Sequence, residues 1–201
     1  MSSVFTVGLS NHSLDEFTGM LLAWSITDVC DVRSAPWSRY SPQFNKDTIA
    51  LALRQAGITY RFYGGTLGAR PADPALIRDG RVSWDALRAT EGFRKGIEEI
   101  AALGTTARPS LLCAERDPAE CHRTVLVARA LVEQGSEIVH ILPGPRGERH
   151  HETHASVMDR LARSFHLEAG LFMTSDSVLE ETYRLQEEKI AYRPAAGSER
   201  P

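Results

Sequence analysis

Residues 109–142, PSLLCAERDPAECHRTVLVARALVEQGSEIVHIL, contain a complete strand–helix–strand unit. The apolar run 109–115 predicts a strand, residues 119–135 have helical periodicity and end at Gly135, and residues 136–142 predict the next strand. Strands that alternate with helices at this spacing are typical of a parallel sheet covered by helices. The unit therefore predicts an α/β fold.

The same alternation extends towards the N-terminus. Further strands are predicted at 4–10, 26–34 and 58–64, and further helices at 12–24, 45–57 and 84–103, the last with a break near Gly92. Ser13 and Glu16 have the spacing of a capping box, and Gly57 ends the helix before the third strand. Residues 64–82 and 143–154 are predicted as loops. Together these segments predict a mostly parallel five-stranded sheet with helices on both faces, a three-layer arrangement like the Rossmann and flavodoxin folds. Residues 1–150 are assigned to this α/β domain. Residues 151–201 are assigned to a helical extension, with helices near 155–166 and 176–190 and a frayed end.

Composition excludes several classes of protein. The net charge of −3 argues against broad affinity for nucleic acid. The N-terminus lacks the features of a signal peptide, and no apolar run approaches the roughly 18 residues that a membrane span needs. Three cysteines do not form a secreted disulfide framework, so we expect a cytoplasmic protein with reduced thiols. Twenty of the 23 basic residues are arginine, which indicates either a compositional bias or recognition of oxyanions.

Polar residues, with two glycines among them, lie at or just beyond the end of each predicted strand. They are Ser10 and His12 for the first strand, Asp31, Arg33 and Ser34 for the second, Tyr63, Gly64 and Gly65 for the third, Cys113 and Glu115 for the fourth, and His140 for the fifth. Ligands of open α/β sheets bind beyond the carboxyl ends of the strands. The sequence therefore predicts a functional site at this edge.

Two cysteines and a histidine surround the start of the helix predicted at 119–135. A helix N-terminus binds anions and lowers the pKa of a nearby thiol, so Cys121 beside His122 and Arg123 is a candidate reactive thiolate. Alternatively, an acidic side chain caps the helix and Cys121 packs in the core. A zinc site formed by Cys113, Cys121, His122 and a distant fourth ligand is a further alternative.

Spacing excludes other metal and thiol motifs. The gap between Cys113 and Cys121 is not that of a C-x-x-C pair, and neither cysteine begins the phosphate-binding loop of a cysteine-dependent phosphatase. The segment RHHETH, residues 149–154, does not match H-E-x-x-H. His150 and His154 have the spacing of one helix face, but we expect them in a solvated loop.

The segment after the second strand is dense in charged and aromatic residues. Asp31 ends a buried strand and is either functional or paired with Arg33. Trp37 and Tyr40 alternate with Arg39, an arrangement that suits a nucleobase with its phosphate or, alternatively, forms a hydrophobic lid. Arg70 is a further candidate contact for an anion.

With these motifs assembled, the chain resembles a prokaryotic family catalogued as domain of unknown function 488. The matching pieces are TVGLSNHSLDEF, DVCDVRSAPWSRYSPQFNK, AGITYRFYGGTLGARP, LLCAERDPAECHRTVLVARAL and IVHIL. The family has G-H-S where this chain has Gly8-Leu9-Ser10, so its first histidine has no counterpart, although His12 lies nearby. The resemblance implies an α/β domain in which the D-V-R and C-H-R elements share a site, and it implies no particular reaction.

Three functional hypotheses follow. The first is an enzyme that cleaves a phosphorylated or nucleotide-like small molecule by glycosidic or hydrolytic chemistry. Its candidate catalytic residues are Asp31, Glu115, Cys121 and His122, and its candidate binding residues are Ser10, His12, Arg33, Ser34, Arg39, Arg70, Cys113 and Arg123. The second is a cysteine-based redox or metal-binding protein. The third is a non-catalytic module that binds nucleic acid or protein. No cofactor is firmly implied, and the C-terminal helices are a candidate homodimer contact.

Overall fold

A six-stranded sheet forms the centre of the fold in the computed structural model, which describes residues 2–9, 12–144, 148–170 and 173–194. In spatial order the strands are β3 (Thr59–Phe62), β2 (Asp28–Asp31), β6 (Pro109–Cys113), β1 (Ser3–Gly8), β7 (Glu137–Leu142) and β8 (His150–Thr153). All neighbours are parallel except β7 and β8. The predicted α/β class is confirmed. Strand β6 lies between β2 and β1, whereas the Rossmann and flavodoxin orders keep the first two strands adjacent.

Helices cover both faces of the sheet. They are α1 (Leu14–Ala23), α2 (Lys46–Gln55), α3 (Gly64–Leu67), α4 (Trp84–Arg88), α5 (Glu91–Thr106), α6 (Arg129–Glu133), α7 (His154–Ser164) and α8 (Ser175–Ile190). A short hairpin, β4 (Ile77–Arg78) and β5 (Arg81–Val82), lies in the region predicted as a loop. No helix in the described part of the chain combines the length and apolarity needed to cross a bilayer.

The two faces contain separate hydrophobic cores. Phe17 and Leu21 of α1 pack with Ile49 and Leu53 of α2 in one cluster. The second cluster joins α5, the segment before α6, α7 and α8, and includes the buried Cys30. Because successive strand residues point to opposite faces, the central strands are buried on both sides and apolar throughout most of their length.

Local signals in the sequence set several helix ends as predicted. Ser13 and Glu16 form the predicted capping box, in which each side chain bonds the other residue's backbone N–H. Gly57 and Gly135 follow helices α2 and α6 with positive φ angles of 75° and 83°. The predicted break in 84–103 is present, but Thr90 rather than Gly92 marks it, because the Thr90 hydroxyl caps α5.

The expectation of a solvated loop over 143–154 is wrong at its C-terminal end. His150–Thr153 pairs with the edge of β7 as strand β8, and His154 begins α7 and is buried. His140, expected at the carboxyl end of its strand, lies within β7 and is also buried. An antiparallel strand on this edge satisfies backbone groups that would otherwise be unpaired.

A buried hydrogen-bonded chain ties the C-terminal helices to the sheet. The Thr6 hydroxyl lies 2.8 Å from Nδ1 of His140, and Nε2 of His140 lies 3.2 Å from Nδ1 of His154. Nε2 of His154 lies 2.7 Å from the hydroxyl of Tyr183 on α8. Burial lowers the pKa of both histidines, that of His154 to about 4. Both imidazoles are therefore neutral in the folded protein at neutral pH.

We expect His154 to make the protein less stable as the pH falls from about 6.5 towards 4. In this interval the unfolded chain binds a proton at His154 that the folded chain does not bind, so the free energy of unfolding decreases with decreasing pH, by a few kcal/mol in all. Urea unfolding at pH 5 and pH 7.5 measures the effect. The His154→Gln variant should show a clearly smaller difference between the two pH values; an unchanged difference would contradict the assignment.

Candidate functional site

Four potential ligand atoms come together beyond the carboxyl end of β6. Cys113 Sγ donates to Oε2 of Glu115 at 2.8 Å, and Cys121 Sγ donates to the same oxygen at 3.1 Å. Nδ1 of His122 lies 3.5 Å from Cys113 Sγ. All four ligand atoms lie within 4.8 Å of one another. We call Cys113, Glu115, Cys121 and His122 the Cys–Glu–His cluster.

The backbone between the two cysteines is not the start of one long helix. The prediction of one continuous α-helix over 119–135 is wrong, because this segment contains three different kinds of helical turn. A short 3₁₀ turn, Pro118–Glu120, precedes Cys121, whose backbone is extended, and a π-helix, Arg123–Ala128, then leads into α6. The side chain of Asp117 caps the turn by accepting from the Ala119 N–H. π-Helical segments are rare and frequently lie at functional sites.

Arg123 holds the loop that carries the cluster. This side chain is fully buried and donates to the backbone carbonyls of Glu115 at 2.6 Å and Arg116 at 3.2 Å, and to the Thr6 hydroxyl at 3.3 Å. All three of its nitrogens therefore have acceptors within the protein. Gly8 lets the loop pass over the end of β1, because a Cβ atom there would lie 2.1 Å from the Glu115 carbonyl oxygen.

Hydrogen bonds from two thiols converge on the Glu115 carboxylate. Partial burial alone would raise the pKa of Glu115, but the hydrogen bonds from Cys113 and Cys121 outweigh it and lower the pKa. Burial raises the pKa of Cys121 well above its usual value. The expected lowering of this pKa by a helix N-terminus is therefore absent, since Cys121 precedes an irregular helix start and is 1% exposed.

His122 is oriented as a metal ligand would be. Its Nε2 lies 3.0 Å from the backbone carbonyl of Val32, which accepts the proton on that nitrogen. In the neutral ring, the form that binds a metal, Nδ1 has a free lone pair that faces the cluster. Burial alone would lower the pKa of His122, but its interactions with Cys121 and Glu115 outweigh this effect and raise the pKa. Tetrahedral Zn²⁺ with sulfur, nitrogen and oxygen ligands holds neighbouring ligand atoms about 3.3–3.8 Å apart. The pairs in direct contact lie 2.8–3.5 Å apart and every other pair of ligand atoms lies within 4.8 Å, so small side-chain movements would bring the four residues onto such an ion.

Asp31 and Arg33 form a second, buried network beside the cluster. Asp31 is fully buried and accepts from the Arg33 backbone N–H, from Nε and Nη2 of its guanidinium, and from the Tyr60 hydroxyl at 2.7 Å. Arg33 Nη1 donates to the Phe44 carbonyl. The Asp31 carboxylate and the Arg33 guanidinium are thus occupied by protein groups. Val32, between them, links this network to His122.

The structure places other predicted binding residues against groups outside the cluster. Ser10 lies outside the described residues. His12 borders a separate cavity of about 420 Å³, and its Nε2 has no hydrogen-bond partner among the described residues. The Ser34 hydroxyl accepts from the Arg70 backbone N–H, while the Arg70 guanidinium lies over the Tyr192 ring. Arg39 stacks on Tyr40 at the surface.

Two groups that hold the site together were not identified from sequence. Tyr60 lies on β3, the strand next to β2, and its hydroxyl donates a hydrogen bond to Asp31. The Val32 carbonyl orients His122 from 90 residues away along the chain. The only signal for Tyr60 was its place in the predicted strand 58–64, and a backbone carbonyl leaves no signal in a sequence.

We expect Asp31→Asn to lower the free energy of unfolding by about 3–5 kcal/mol, because it leaves the buried Arg33 charge without its counterion. Asp28→Asn on the same strand is the matched control. Its partner Arg61 is 43% exposed, so water can replace the lost ion pair and the cost should be about 1 kcal/mol or less. Urea unfolding measures both; equal losses would contradict a structural role for the Asp31–Arg33 pair.

Comparison with known proteins identifies a family and no characterised relative. No curated protein matches the chain. No solved structure matches it either. The sequence model of one family, described as "Domain of unknown function DUF488", matches residues 13–130, more than half of the 201 residues. The match includes β2, β6 and all four residues of the Cys–Glu–His cluster, and it ends before α7 and α8. The chain therefore belongs to the DUF488 family.

Proposed function

We propose that this protein binds one Zn²⁺ ion at the Cys–Glu–His cluster and uses it to hydrolyse a small substrate. The observation that carries the proposal is the convergence of two thiols, an imidazole nitrogen and a carboxylate oxygen within 4.8 Å. Thiolate and imidazole ligands together favour Zn²⁺ among the common divalent ions. The position at the carboxyl edge of a mostly parallel sheet agrees with the usual place of active sites in α/β proteins.

The burial of the four side chains supports a catalytic rather than a structural metal site. Cys113 and Cys121 are buried and His122 is half-buried, whereas Glu115 is exposed. Catalytic zinc sites keep three protein ligands and one exchangeable position, and two cysteines with one histidine are a known set of three. We therefore assign Cys113, Cys121 and His122 as the permanent ligands. Glu115 is the exchangeable ligand and, once displaced, the general base for water.

The hydrophobic cores support the same assignment. Structural zinc is typical of small domains that cannot fold without the metal. Here two separate clusters of buried apolar residues cover both faces of a six-stranded sheet. A chain with this much buried apolar surface does not need a metal to fold.

We propose that the substrate is an anionic, nucleotide-like small molecule. Its negative group would bind the metal and not the buried arginines. Arg33 and Arg123 donate to protein acceptors, so neither guanidinium is free for a ligand. An exchangeable position on Zn²⁺ accepts an anion directly. Trp37 and Tyr40 are 71% and 80% exposed beside Arg39, and they offer stacking surfaces for a base.

We expect the purified, untagged protein to contain about one Zn²⁺ per chain when reconstituted and desalted. Cys121→Ser and His122→Gln should lose this metal, because each removes a permanent ligand. Elemental mass spectrometry with protein quantification gives the ratio.

The matched control is Cys30→Ala. Cys30 is a buried thiol of β2 outside the cluster, so this variant should keep its zinc. A wild-type protein without metal, or a Cys121→Ser variant that keeps it, would overturn the proposed site.

We also expect a small anion to reach the metal. With Co²⁺ in place of Zn²⁺, added azide or acetohydroxamate should change the visible absorption spectrum, and Glu115→Ala should bind these anions more tightly because the competing carboxylate is gone. The metal-free protein should retain its far-UV circular dichroism and its cooperative unfolding transition. A spectrum unaffected by anions, together with unfolding on chelation, would indicate a closed structural site instead.

A further inference from the structure

We propose that the C-terminal helices α7 and α8 set the geometry of the metal site, with Gln186 of α8 as its principal positioning residue. The inference rests on the proposed zinc site and adds a role for a part of the chain outside the family match. It concerns residues 117–120, the link between Cys113 and Glu115 on one side and Cys121 and His122 on the other.

Gln186 contacts this link at a different backbone group from those that Arg123 contacts. Its Nε2 donates to the backbone carbonyl of Ala119 at 2.7 Å, two residues before Cys121. Gln186 is fully buried, and its Oε1 has no hydrogen-bond partner among the described residues. An unpaired buried amide oxygen costs about 1–3 kcal/mol, so an apolar side chain of the same size would be the more stable choice for packing alone. Compared with such an apolar side chain, the amide of Gln186 provides the hydrogen bond to the Ala119 carbonyl.

Two ion pairs hold the same link at the surface. Arg160 of α7 donates through both Nη atoms to the carboxylate of Asp117, at 3.0 and 2.9 Å, and also to Glu152 of β8. Lys189 of α8 lies 2.7 Å from Glu120. Asp117 also caps the turn before Cys121. Three of the four residues of the link, 117, 119 and 120, are thus contacted by side chains of the C-terminal helices.

Protein groups therefore hold the link from both ends. Arg123 holds Glu115 and Arg116, which precede the link, and Gln186 holds Ala119 within it. Groups that orient ligands in this way are worth about 10–100-fold in metal affinity when removed. The C-terminal helices act on the metal through the ligand loop and not by touching it.

Gln186→Met tests the inference, because it keeps the length and volume of the side chain and removes the amide. Zinc affinity, measured by competition with a chromogenic chelator, should fall about 10-fold or more, and the visible bands of the Co²⁺ protein should shift as the ligand geometry relaxes. The matched control is Thr182→Val, which alters another fully buried residue of α8 and removes a hydrogen bond that lies within that helix. It should change the affinity less than twofold.

A second pair of variants tests the inference even if the Gln186→Met protein fails to fold. Arg160→Ala releases Asp117 from a partly exposed position and should also weaken zinc binding, whereas Arg184→Ala breaks ion pairs confined to α8 and should not. If the wild type binds zinc and the Gln186 and Arg160 variants bind it equally well, or if Thr182→Val weakens it as much, the positioning role is wrong and the zinc site stands. If the wild type binds no zinc, the proposed function itself fails.

Discussion

The buried guanidinium of Arg123 fixes the loop on which the candidate site is built. An unpaired charge at this depth would cost several kcal/mol, so the side chain is tolerated only because each nitrogen meets an acceptor. Two of those acceptors are backbone carbonyls of the loop itself. Displacing the loop would leave the charge without these acceptors, and this cost holds the loop in its position. Such preorganisation reduces the entropy lost on binding.

Strand order explains why the cluster and the Asp31 network are neighbours. β6 pairs directly with β2, so the chain leaving β6 with Cys113 runs beside the chain leaving β2 with Asp31. The Asp31–Arg33–Tyr60 network holds the end of β2 in place, and the carbonyl of Val32 in that segment orients His122. The buried Asp31–Arg33 pair thus holds the segment that positions His122.

Sequence predicted those features that are local or periodic. The capping box at Ser13, the glycines that end α2 and α6, and the position of Cys113 and Glu115 at the end of a strand all depend on short-range patterns. Strand β8 was missed because HHET is short and polar and is a strand only through pairing with β7. The sequence left open whether Cys121 is a reactive thiolate or a core residue, because its raised pKa follows from burial by segments distant in the chain. The proximity of Glu115 to both thiols depends on the path of the loop, which composition does not encode.

The π-helix at Arg123–Ala128 has a consequence for how this chain can change over evolutionary time. An α-helix turns about 100° per residue, so adding or deleting one residue rotates everything on one side of the change relative to the other. Here Leu126 and Leu131 pack in the same buried cluster as Cys121, while Cys121 and His122 also lie beside Cys113 and Glu115. The wider turn of the π-helix sets the rotation that satisfies both sets of contacts. Deleting a single residue from this segment would rotate Cys121 and His122 relative to Leu131, so the length of the segment is constrained even where its side chains are interchangeable.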